Sequence, residues 1–480
     1  MPPVLPFPAL ETTLPNGLRI IALNTGYPNL VSLQIPVQTG SRNEVESGKS
    51  GFAHFFEHMM FRGTERFPAE AYQEVITRAG ARQNAYTTDD YTNYHITFAK
   101  EDLDRILELE ADRFMNLRYS ESDFKTEARA ILGEYNKSAA DPLTKLFEVQ
   151  RQHAYTTHTY KHTTMGFIAD IEDMPNQFEY SRTFFERWYR PEYATVIIAG
   201  DIDPEAATAM VEKHWSSWRP GSGTPVPVPP EPAQSAPVVV HHRWDSPTLP
   251  WVTIGFHGPA FSATEKEYVA LDFVFDLLFG ETSDLYRRLV EREQVVDQLF
   301  PYLPASQDPG LATIMARVKR PEDTVYVRDA IAQTLAQAVF RPIPAKRLDD
   351  AKSHARYSFV RTLDNSESIA STLARYVRFE RRYDTLNDLF ETYDACTPDD
   401  LLAVAEVPPA PNVVVATLSH DPLPQAWPAV PRRPRPFTGS PRSKPSRSNA
   451  IAARPLKLLF TTGSSDDPAA NTASPHSAPR

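Results

Sequence analysis

Histidine and glutamate residues at helical spacing are the residues of this 480-residue sequence best suited to chemistry. In the segment Ser50–Gly63, His54 and His58 are four residues apart, and Glu57 follows His54 by three. Side chains three and four residues apart share one face of a helix. Two imidazoles one turn apart suit a single Zn²⁺ at about 2.0–2.1 Å, and a carboxylate beside them could take a proton from water.

The same histidine pair also has a simpler interpretation. The rest of the segment is apolar almost all round, which predicts a buried helix that Gly63 ends. Two histidines on such a helix can be hydrogen-bonded core residues. The order H-x-x-E-H is the inverse of the commoner zinc-protease motif, but a five-residue pattern also arises by chance.

A second predicted helix carries two further carboxylates. It begins after Ser120, which forms a capping-box pattern with Asp123, and it contains Glu127 and Glu134. These glutamates are seven residues apart, on one stripe close to the apolar face of the helix. Two carboxylates near a buried face need compensation, and a cation would supply it. The alternative is an ordinary solvated face.

Composition limits the class of protein. The net charge of −11, from 50 basic and 61 acidic residues, argues against a nucleic-acid-binding protein. The longest apolar runs, such as Ala194–Gly200, are far shorter than the roughly 18 residues of a membrane span. The single cysteine, Cys396, excludes an internal disulfide framework and a cysteine-based zinc cluster. The first residues lack a signal-peptide pattern, so we expect a cytoplasmic protein, or a periplasmic one if a leader was removed.

Two composition shifts divide the chain. Residues 220–237 contain seven prolines in 18 positions, which predicts a semi-rigid linker. Residues 428–480 contain ten prolines, nine basic residues and two acidic ones, a net charge of +7, so the rest of the chain carries −18. We expect this basic tail to be disordered. The predicted domains are therefore residues 1–219 and residues 238–427.

The two predicted domains show signs of an internal repeat. Val31, Leu33 and Ile35 alternate as in a half-buried strand, and the same pattern recurs in Val252–Phe256, 221 positions later. Each half also closes with an apolar strand followed by aspartate, Asp201 in the first and Asp421 in the second. This pattern predicts two similar α+β halves of about 200 residues each.

Three segments together resemble the insulinase-type (pitrilysin) zinc metallopeptidases of the M16 family, which are inverted zincins. They are Gly51–Thr64, Gly80–Thr87 and Glu127–Glu134, and the likeness is greatest to the shorter, processing-peptidase-like M16B members. The resemblance extends from about Leu14 to Leu418. It implies an α+β fold with two homologous halves, each a mostly antiparallel sheet with helices packed on one face, which together form a clamshell.

The resemblance also implies a role for particular residues. It implies a third zinc ligand about 76 residues after His58, where this sequence has Glu134, and a supporting glutamate seven residues earlier, matched by Glu127. The metal would then be Zn²⁺ on His54, His58 and Glu134, with Glu57 as general base. The segment around Asn84 and Ala85 resembles the edge strand to which a peptide substrate adds. Without the resemblance, Asn84 is simply a turn residue.

The second half lacks these residues. An offset of 221 places Phe275, Leu278 and Phe279 where the first half has His54, Glu57 and His58, so we expect no metal there. Active family members usually carry an arginine and a tyrosine seven residues apart in the second half, but here the aligned positions are Val290 and Asp297.

These substitutions predict that the chain is the zinc-bearing subunit of a heterodimer. A homologous M16-type partner without H-x-x-E-H would supply the arginine and the tyrosine. The predicted function is a zinc-dependent endopeptidase that acts on peptides or unfolded segments. The alternatives are a non-catalytic scaffold subunit of the same fold and a metal-dependent hydrolase of a non-peptide substrate.

Other candidate residues give weaker signals. His153, His158 and His162 are irregularly spaced, which predicts a surface loop. The adjacent His241 and His242 would point to opposite faces of a strand and so make a poor joint metal site. We expect Cys396 to be a core residue rather than a nucleophile.

Overall fold

A computed structural model describes residues 2–221, 226–405 and 412–424 of the chain. The predicted basic tail, residues 428–480, lies outside these residues. The strands are β1 (Ala9–Thr13), β2 (Arg19–Asn24), β3 (Leu30–Val37), β4 (Arg82–Thr87), β5 (Thr92–Ala99), β6 (Thr195–Gly200), β7 (Val238–Arg243), β8 (Trp251–His257), β9 (Val296–Tyr302), β10 (Leu311–Val318) and β11 (Val414–Ser419).

Helices connect most of these strands, and one short helix, α10, continues into a π-helix at Arg287–Arg292. The α-helices are α1 (Phe52–Met59), α2 (Ala69–Arg78), α3 (Leu103–Asn116), α4 (Glu121–Ser138), α5 (Pro142–Ala154), α6 (Ile168–Asp173), α7 (Phe178–Trp188), α8 (Pro204–Trp215), α9 (Lys266–Phe279), α10 (Asp284–Tyr286), α11 (Thr324–Ala338), α12 (Ala345–Val360), α13 (Ser366–Glu380), α14 (Thr385–Ala395) and α15 (Pro398–Ala405).

The strands form two sheets of matching topology. The first sheet has the order β1-β2-β6-β3-β5-β4, and the second has the order β7-β11-β8-β10-β9. In each sheet one pair is parallel, β2 with β6 and β7 with β11, and the other pairs are antiparallel. β3 and β8 begin 221 residues apart. The prediction of two homologous α+β halves with mostly antiparallel sheets is confirmed.

Alternation of side chains along the strands explains where the cores lie. On β2, Ile20 and Ala22 belong to the main core of the first half, whereas Ile21 and Leu23 face a second core on the other side of the sheet. Successive side chains of a strand point to opposite faces, so the first sheet is buried on both faces. The first core packs against helices of the same half.

The second core shows that the halves exchange helices. α13, from the second half, lies on β3 and β6 of the first sheet, where the small residues Ala370 and Ala374 allow a close approach. α5, from the first half, lies on β7 and β11 of the second sheet, with Leu146 against Trp251 and Leu418. Each sheet therefore has its own helices on one face and a helix of the other half on the second face.

The linker contacts the first half through one carboxylate. Glu231 accepts hydrogen bonds from the backbone N–H groups of Thr156, Thr157 and His158 at 2.7–2.9 Å. The domain limits 1–219, 220–237 and 238–427 stay predictions. Across the described residues, no helix combines the length and the apolar character needed to cross a bilayer.

Candidate metal centre and active site

The N-terminus of α1 is fixed by a buried carboxylate. Glu44 accepts hydrogen bonds from the backbone N–H of Gly51 at 2.8 Å and of Ala53 at 2.7 Å. Gly51 has φ +93°, a conformation that glycine adopts without strain, and it supplies no side-chain cap of its own. Glu44 therefore satisfies two amides that a helix start leaves open, and its burial raises the pKa of the carboxyl group well above its ordinary value.

The C-terminal end of the segment Ser50–Gly63 also requires glycine. After α1 a short 3₁₀ turn runs to Arg62, and Gly63 follows with φ +87°. A Cβ atom on Gly63 would lie 2.5 Å from the carbonyl oxygen of Phe67. The chain can therefore turn away directly after the helix, which keeps α1 short and leaves its last turn open to α4.

α1 and α4 bring two histidines and one glutamate together. The His54 Nε2 and His58 Nε2 atoms lie 3.7 Å and 3.5 Å from Glu134 Oε2. One ligand atom from each of the three residues lies within 4.8 Å of the others, and no other group of three among the described residues meets that criterion. His54 is buried, whereas Glu134 is exposed, so the group opens to solvent on one side.

The geometry fits a zinc ion. Two ligands about 2.0–2.1 Å from a tetrahedral centre lie about 3.3–3.4 Å apart, close to the two nitrogen–oxygen distances found here. Those distances exceed a normal hydrogen bond between nitrogen and oxygen. In addition, the His54 Nδ1 atom is buried and has no hydrogen-bond partner, so nothing in the protein requires His54 to be protonated. Two imidazoles and a carboxylate are a common donor set for zinc.

Burial and nearby charges shift the pKa values of the two histidines in opposite directions. Burial, together with the neighbouring His58, lowers the pKa of His54 to about 3. Burial also opposes protonation of His58, but its hydrogen bond with Glu127 and the nearby carboxylates outweigh that effect and raise its pKa.

Glu127 supports the site from behind. Its Oε1 atom lies 2.9 Å from His58 Nδ1, and its Oε2 atom accepts from Arg62 Nε at 2.9 Å. The hydrogen bond with His58, together with Arg62, lowers the pKa of Glu127 to about 2 despite its burial. A carboxylate on the outer ring nitrogen fixes the ring orientation and directs Nε2 toward Glu134.

Glu57 faces the first sheet from the same helix. Its Oε2 atom accepts a hydrogen bond from Thr87 Oγ1 at 2.6 Å. Burial raises the pKa of the Glu57 carboxyl group, and the Thr87 hydrogen bond opposes that shift. The carboxylate is thus held between α1 and the last residue of β4.

The strand β4 lies at the edge of the first sheet, next to this carboxylate. Asn84 is exposed and Ala85 is buried, so the two predicted substrate-binding residues point to opposite faces. Asn84 Oδ1 accepts from the backbone N–H of Ala85 at 2.9 Å.

The positions aligned with the family's arginine and tyrosine have other roles here. Val290 lies in the π-helix and packs against the core of the second half. Asp297 lies on β9 and accepts two hydrogen bonds from Arg317, each at 2.9 Å. The described residues of the chain place no arginine or tyrosine at these two positions.

The histidines outside α1 differ partly from expectation. The prediction of a surface loop is wrong for His158 and His162, which are buried, and His153 is exposed but lies on α5 rather than in a loop. His158 Nε2 lies 2.8 Å from Asp308 Oδ2, in the second half, and spacing along the chain gives no sign of that contact. Cys396 is buried, as predicted, and burial raises the pKa of its thiol to about 11.

Sequence reasoning missed three residues of the site. Arg62 follows His58 by one helical turn, so its spacing was an available signal. Glu44 and Thr87 had none, because one caps the helix from a preceding loop and the other reaches Glu57 from a strand 30 residues later.

Comparisons with known proteins agree with this geometry. Residues 19–167 match the family described as insulinase (peptidase family M16), and residues 177–354 match the family described as the peptidase M16 inactive domain. The first match contains the histidine pair and both glutamates of α4, and most of the second covers the half without them.

Individual relatives are named as peptidases. The chain is 30% identical over 374 residues to zinc protease PqqE of Helicobacter pylori, which covers 76% of this chain and 83% of that protein. It is 28% identical over 273 residues to the mitochondrial-processing peptidase subunit beta of Caenorhabditis elegans, 57% of each chain. The crystal structure of a protease from Helicobacter pylori superposes with a TM-score of 0.80 at 27% identity, over 86% of this chain and 99% of that one.

Proposed function

The chain belongs to the insulinase family of peptidases, M16, and on that basis we propose that it is a zinc-dependent endopeptidase. The observation that carries the proposal is the convergence of His54, His58 and Glu134 within 4.8 Å. Relatives named as zinc proteases support a peptidase function, and the donor set supports zinc as the metal.

In the proposed reaction, His54, His58 and Glu134 bind Zn²⁺. When bound, zinc lowers the pKa of a water ligand and polarises a carbonyl group. Glu57 accepts the proton of the attacking water and returns it to the leaving amine, while the Thr87 hydroxyl orients the carboxylate through its hydrogen bond. Glu127 keeps His58 in the tautomer that has its free lone pair on Nε2.

The proposed substrate is an extended peptide or an unfolded segment. Within the described part of the chain, β4 is an edge strand with one side free of pairing in the sheet, and it ends at Thr87, beside Glu57. A peptide that adds to β4 would place its backbone next to the metal ligands, with main-chain hydrogen bonds along Asn84 and Ala85. It would have to replace the bond that Asn84 makes with the Ala85 amide.

We further propose that a homologous subunit completes the site. Val290 packs against the core of the second half, and Asp297 forms an ion pair with Arg317. Neither residue can therefore stabilise a developing oxyanion. A partner that carries arginine and tyrosine at the equivalent positions would supply both. One of the relatives is itself named as a subunit of a processing peptidase. A cytoplasmic location, or a periplasmic one, also stays a prediction.

The test is to measure metal content and cleavage of a mixed peptide library with the purified chain. We expect one zinc per chain, and cleavage that stops with a chelator and returns with zinc. Glu57→Gln is the matched control, because it should keep the zinc and lose turnover. Turnover near wild type in Glu57→Gln would refute the assigned base, and cleavage unaffected by the chelator would refute the metal.

The partner proposal has its own measurement. The chain should cleave poorly when alone and much faster with the homologous subunit co-purified from the native host. Full activity of the chain without a partner would overturn the heterodimer while leaving the zinc site intact. A chain that binds zinc and cleaves no peptide with or without a partner would favour the non-catalytic scaffold.

A further inference from the structure

The hairpin connections of the two sheets meet where the halves join. The β4–β5 turn, residues 88–91, and the β9–β10 loop, residues 303–310, occupy equivalent positions in the two sheets. Asp90 Oδ2 accepts a hydrogen bond from the backbone N–H of Gln307 at 3.0 Å. Tyr160 Oη donates to Asp90 Oδ1 at 2.6 Å and accepts from the backbone N–H of Asp308 at 3.2 Å. We call Asp90, Tyr160, Gln307 and Asp308 the turn junction.

Charged groups surround the turn junction. Asp308 Oδ2 lies 2.8 Å from His158 Nε2 and accepts from Arg42 Nε at 2.5 Å. On the other side, the Arg378 guanidinium of α13 lies 4.6 Å from the centre of the Tyr91 ring and donates to the carbonyl of Ala305. The second half therefore contacts the β4–β5 turn from its loop and from its exchanged helix.

The β4–β5 turn itself is tightly bonded. Thr88 donates to the Tyr91 carbonyl from its backbone N–H at 2.8 Å and from its hydroxyl at 2.9 Å. Asp89 Oδ1 accepts from Ser41 Oγ at 3.0 Å and from Arg151 Nη2 at 2.9 Å. These internal and flanking bonds couple the turn residues to one another, so we expect a change at Asp90 to reach the residues on either side.

Thr87 is the residue directly before this turn. Its hydroxyl donates to Glu57 Oε2 at 2.6 Å and lies 3.3 Å from the hydroxyl of Thr92, the first residue of β5. The position of the turn therefore sets the position of the Thr87 hydroxyl, and that hydroxyl fixes one oxygen of the Glu57 carboxylate. The contacts that the second half makes with Asp90 are therefore linked to Glu57 through the four consecutive residues 87–90.

We propose that Tyr160 and Asp90 are positioning residues, through which the second half holds the Thr87 hydroxyl and so orients Glu57. The inference rests on the proposed function in one respect, since it takes Glu57 as the base. It assigns the metal-free half a role within its own chain that is separate from any partner subunit. The orientation of a reacting group contributes strongly to rate, and a shift of about 1 Å can cost a factor of about 100.

The test compares two tyrosines that each lose one hydroxyl. Tyr160→Phe removes the donor to Asp90. Tyr27→Phe is the matched control, because Tyr27 Oη also joins the halves, donating to the Leu363 carbonyl at 3.1 Å, but far along the chain from the turn. We expect Tyr160→Phe to lower kcat about tenfold with KM within about twofold and zinc content unchanged, and Tyr27→Phe to change none of these.

Two further readouts separate positioning from general stability. Thr87→Val should reproduce the loss in kcat, and Thr87→Ser should recover most of it. In the metal-free proteins, hydrogen exchange of residues 82–92 should be faster in Tyr160→Phe than in wild type and unchanged in Tyr27→Phe.

Several results would overturn the inference. These are a Tyr160→Phe variant with wild-type kcat, an equal loss in Tyr27→Phe, and unchanged exchange over residues 82–92. If the wild-type protein cleaves no peptide either alone or with its partner subunit, the proposed function fails, and the exchange experiment alone then decides whether the junction orders the turn.

Discussion

The helices α1 and α9 follow equivalent strands of two sheets with the same topology, yet only α1 carries polar ligands. In α1, His54 and His58 are one turn apart, with ring centres 4.9 Å apart. In α9, Phe275 and Phe279 have the same spacing, with ring centres 6.0 Å apart, and both are buried. Both helices pack against the sheet of their own half. The end of α1 is open to carboxylates, whereas aromatic side chains fill the equivalent space at α9.

The facing helices differ in the same way. The offset of 221 that relates β3 to β8 places Leu348 and Ala355 of α12 where α4 has Glu127 and Glu134. Leu348 is buried in the second core, which lies between the first sheet and helices of the second half. All of the metal-site positions therefore differ between the copies, and for Glu127 this is expected because a buried carboxylate without a cation or a histidine partner would be costly.

The largest expected effect comes from making the first copy resemble the second. His58→Phe removes a ligand and the donor of the hydrogen bond to Glu127, so we expect bound zinc to fall to zero and peptide cleavage to fall by at least about 10³-fold. Metal analysis and cleavage assays measure both losses. The circular dichroism of the metal-free protein should stay unchanged, since His58 is partly exposed. Cleavage near the wild-type rate would show that peptide hydrolysis does not depend on the pair His54 and His58.

The reverse exchange should cost stability and gain no metal. Phe279 is fully buried, so Phe279→His leaves a cavity and an unpartnered polar ring, and we expect the free energy of unfolding to fall by about 3 kcal/mol. Denaturant unfolding measures the change. Phe340→His, at a site 67% exposed, is the control and should change it by less than about 0.5 kcal/mol. Zinc binding by the double variant Phe275→His and Phe279→His would contradict the need for the α4 carboxylates.

The sequence predicted much of this comparison, because its evidence was local or periodic. The spacing of His54 and His58 placed both on one face of a helix. The offset of 221 predicted the second sheet, and it predicted an apolar helical turn at Phe275 in place of the histidine pair. The exchange of α5 and α13 was not predicted. Each helix has an ordinary apolar face, and nothing in its own residues indicates that the sheet it covers belongs to the other half.

The same limit explains the error on His158 and His162. Irregular spacing predicted a surface loop, but their surroundings come from distant segments. His158 meets Asp308, 150 residues later, and His162 Nδ1 lies 3.7 Å from Glu44 Oε2. Burial of a loop residue depends on which segments fold over it, and a local pattern does not contain that information.

A smaller effect is expected at Glu127, the carboxylate that supports His58 in the first copy. Glu127→Gln keeps a similar shape but removes the charge beside His58 and Arg62, so zinc should bind about 10–100-fold more weakly. Competition with a chelator of known affinity measures the change. Glu121→Gln, on the exposed start of the same helix, is the control and should leave zinc affinity unchanged. Equal zinc affinity in wild type and Glu127→Gln would show that the Glu127 charge does not support metal binding. The leucine at the equivalent position of the second copy, Leu348, would then not contribute to the difference between the copies.

The smallest effect concerns Asp272, a carboxylate of α9. Asp272 accepts a hydrogen bond from Tyr393, and burial raises its pKa from 3.8 to about 6. Because the folded-state pKa lies above the unfolded value, ionisation of Asp272 costs stability, with no cost below about pH 4 and the full cost above about pH 6. In the proposed site of the first copy a cation and histidines would face such a group, whereas Asp272 is bonded to the Tyr393 hydroxyl and lies near a second carboxylate, Asp276.

Asp272→Asn should therefore stabilise the protein in a pH-dependent way. The asparagine oxygen can still accept from Tyr393, so we expect a gain of about 1–2 kcal/mol at pH 8 that declines to about zero at pH 4. Tyr393→Phe should act in the opposite direction, because it removes the donor to the ionised carboxylate, and its loss should be greater at pH 8 than at pH 4. Thermal unfolding across this range measures both variants. A gain for Asp272→Asn that is equal at pH 4 and pH 8 would show that folding does not shift the pKa of Asp272, and that the second copy accommodates the ionised carboxylate without a cost from its burial.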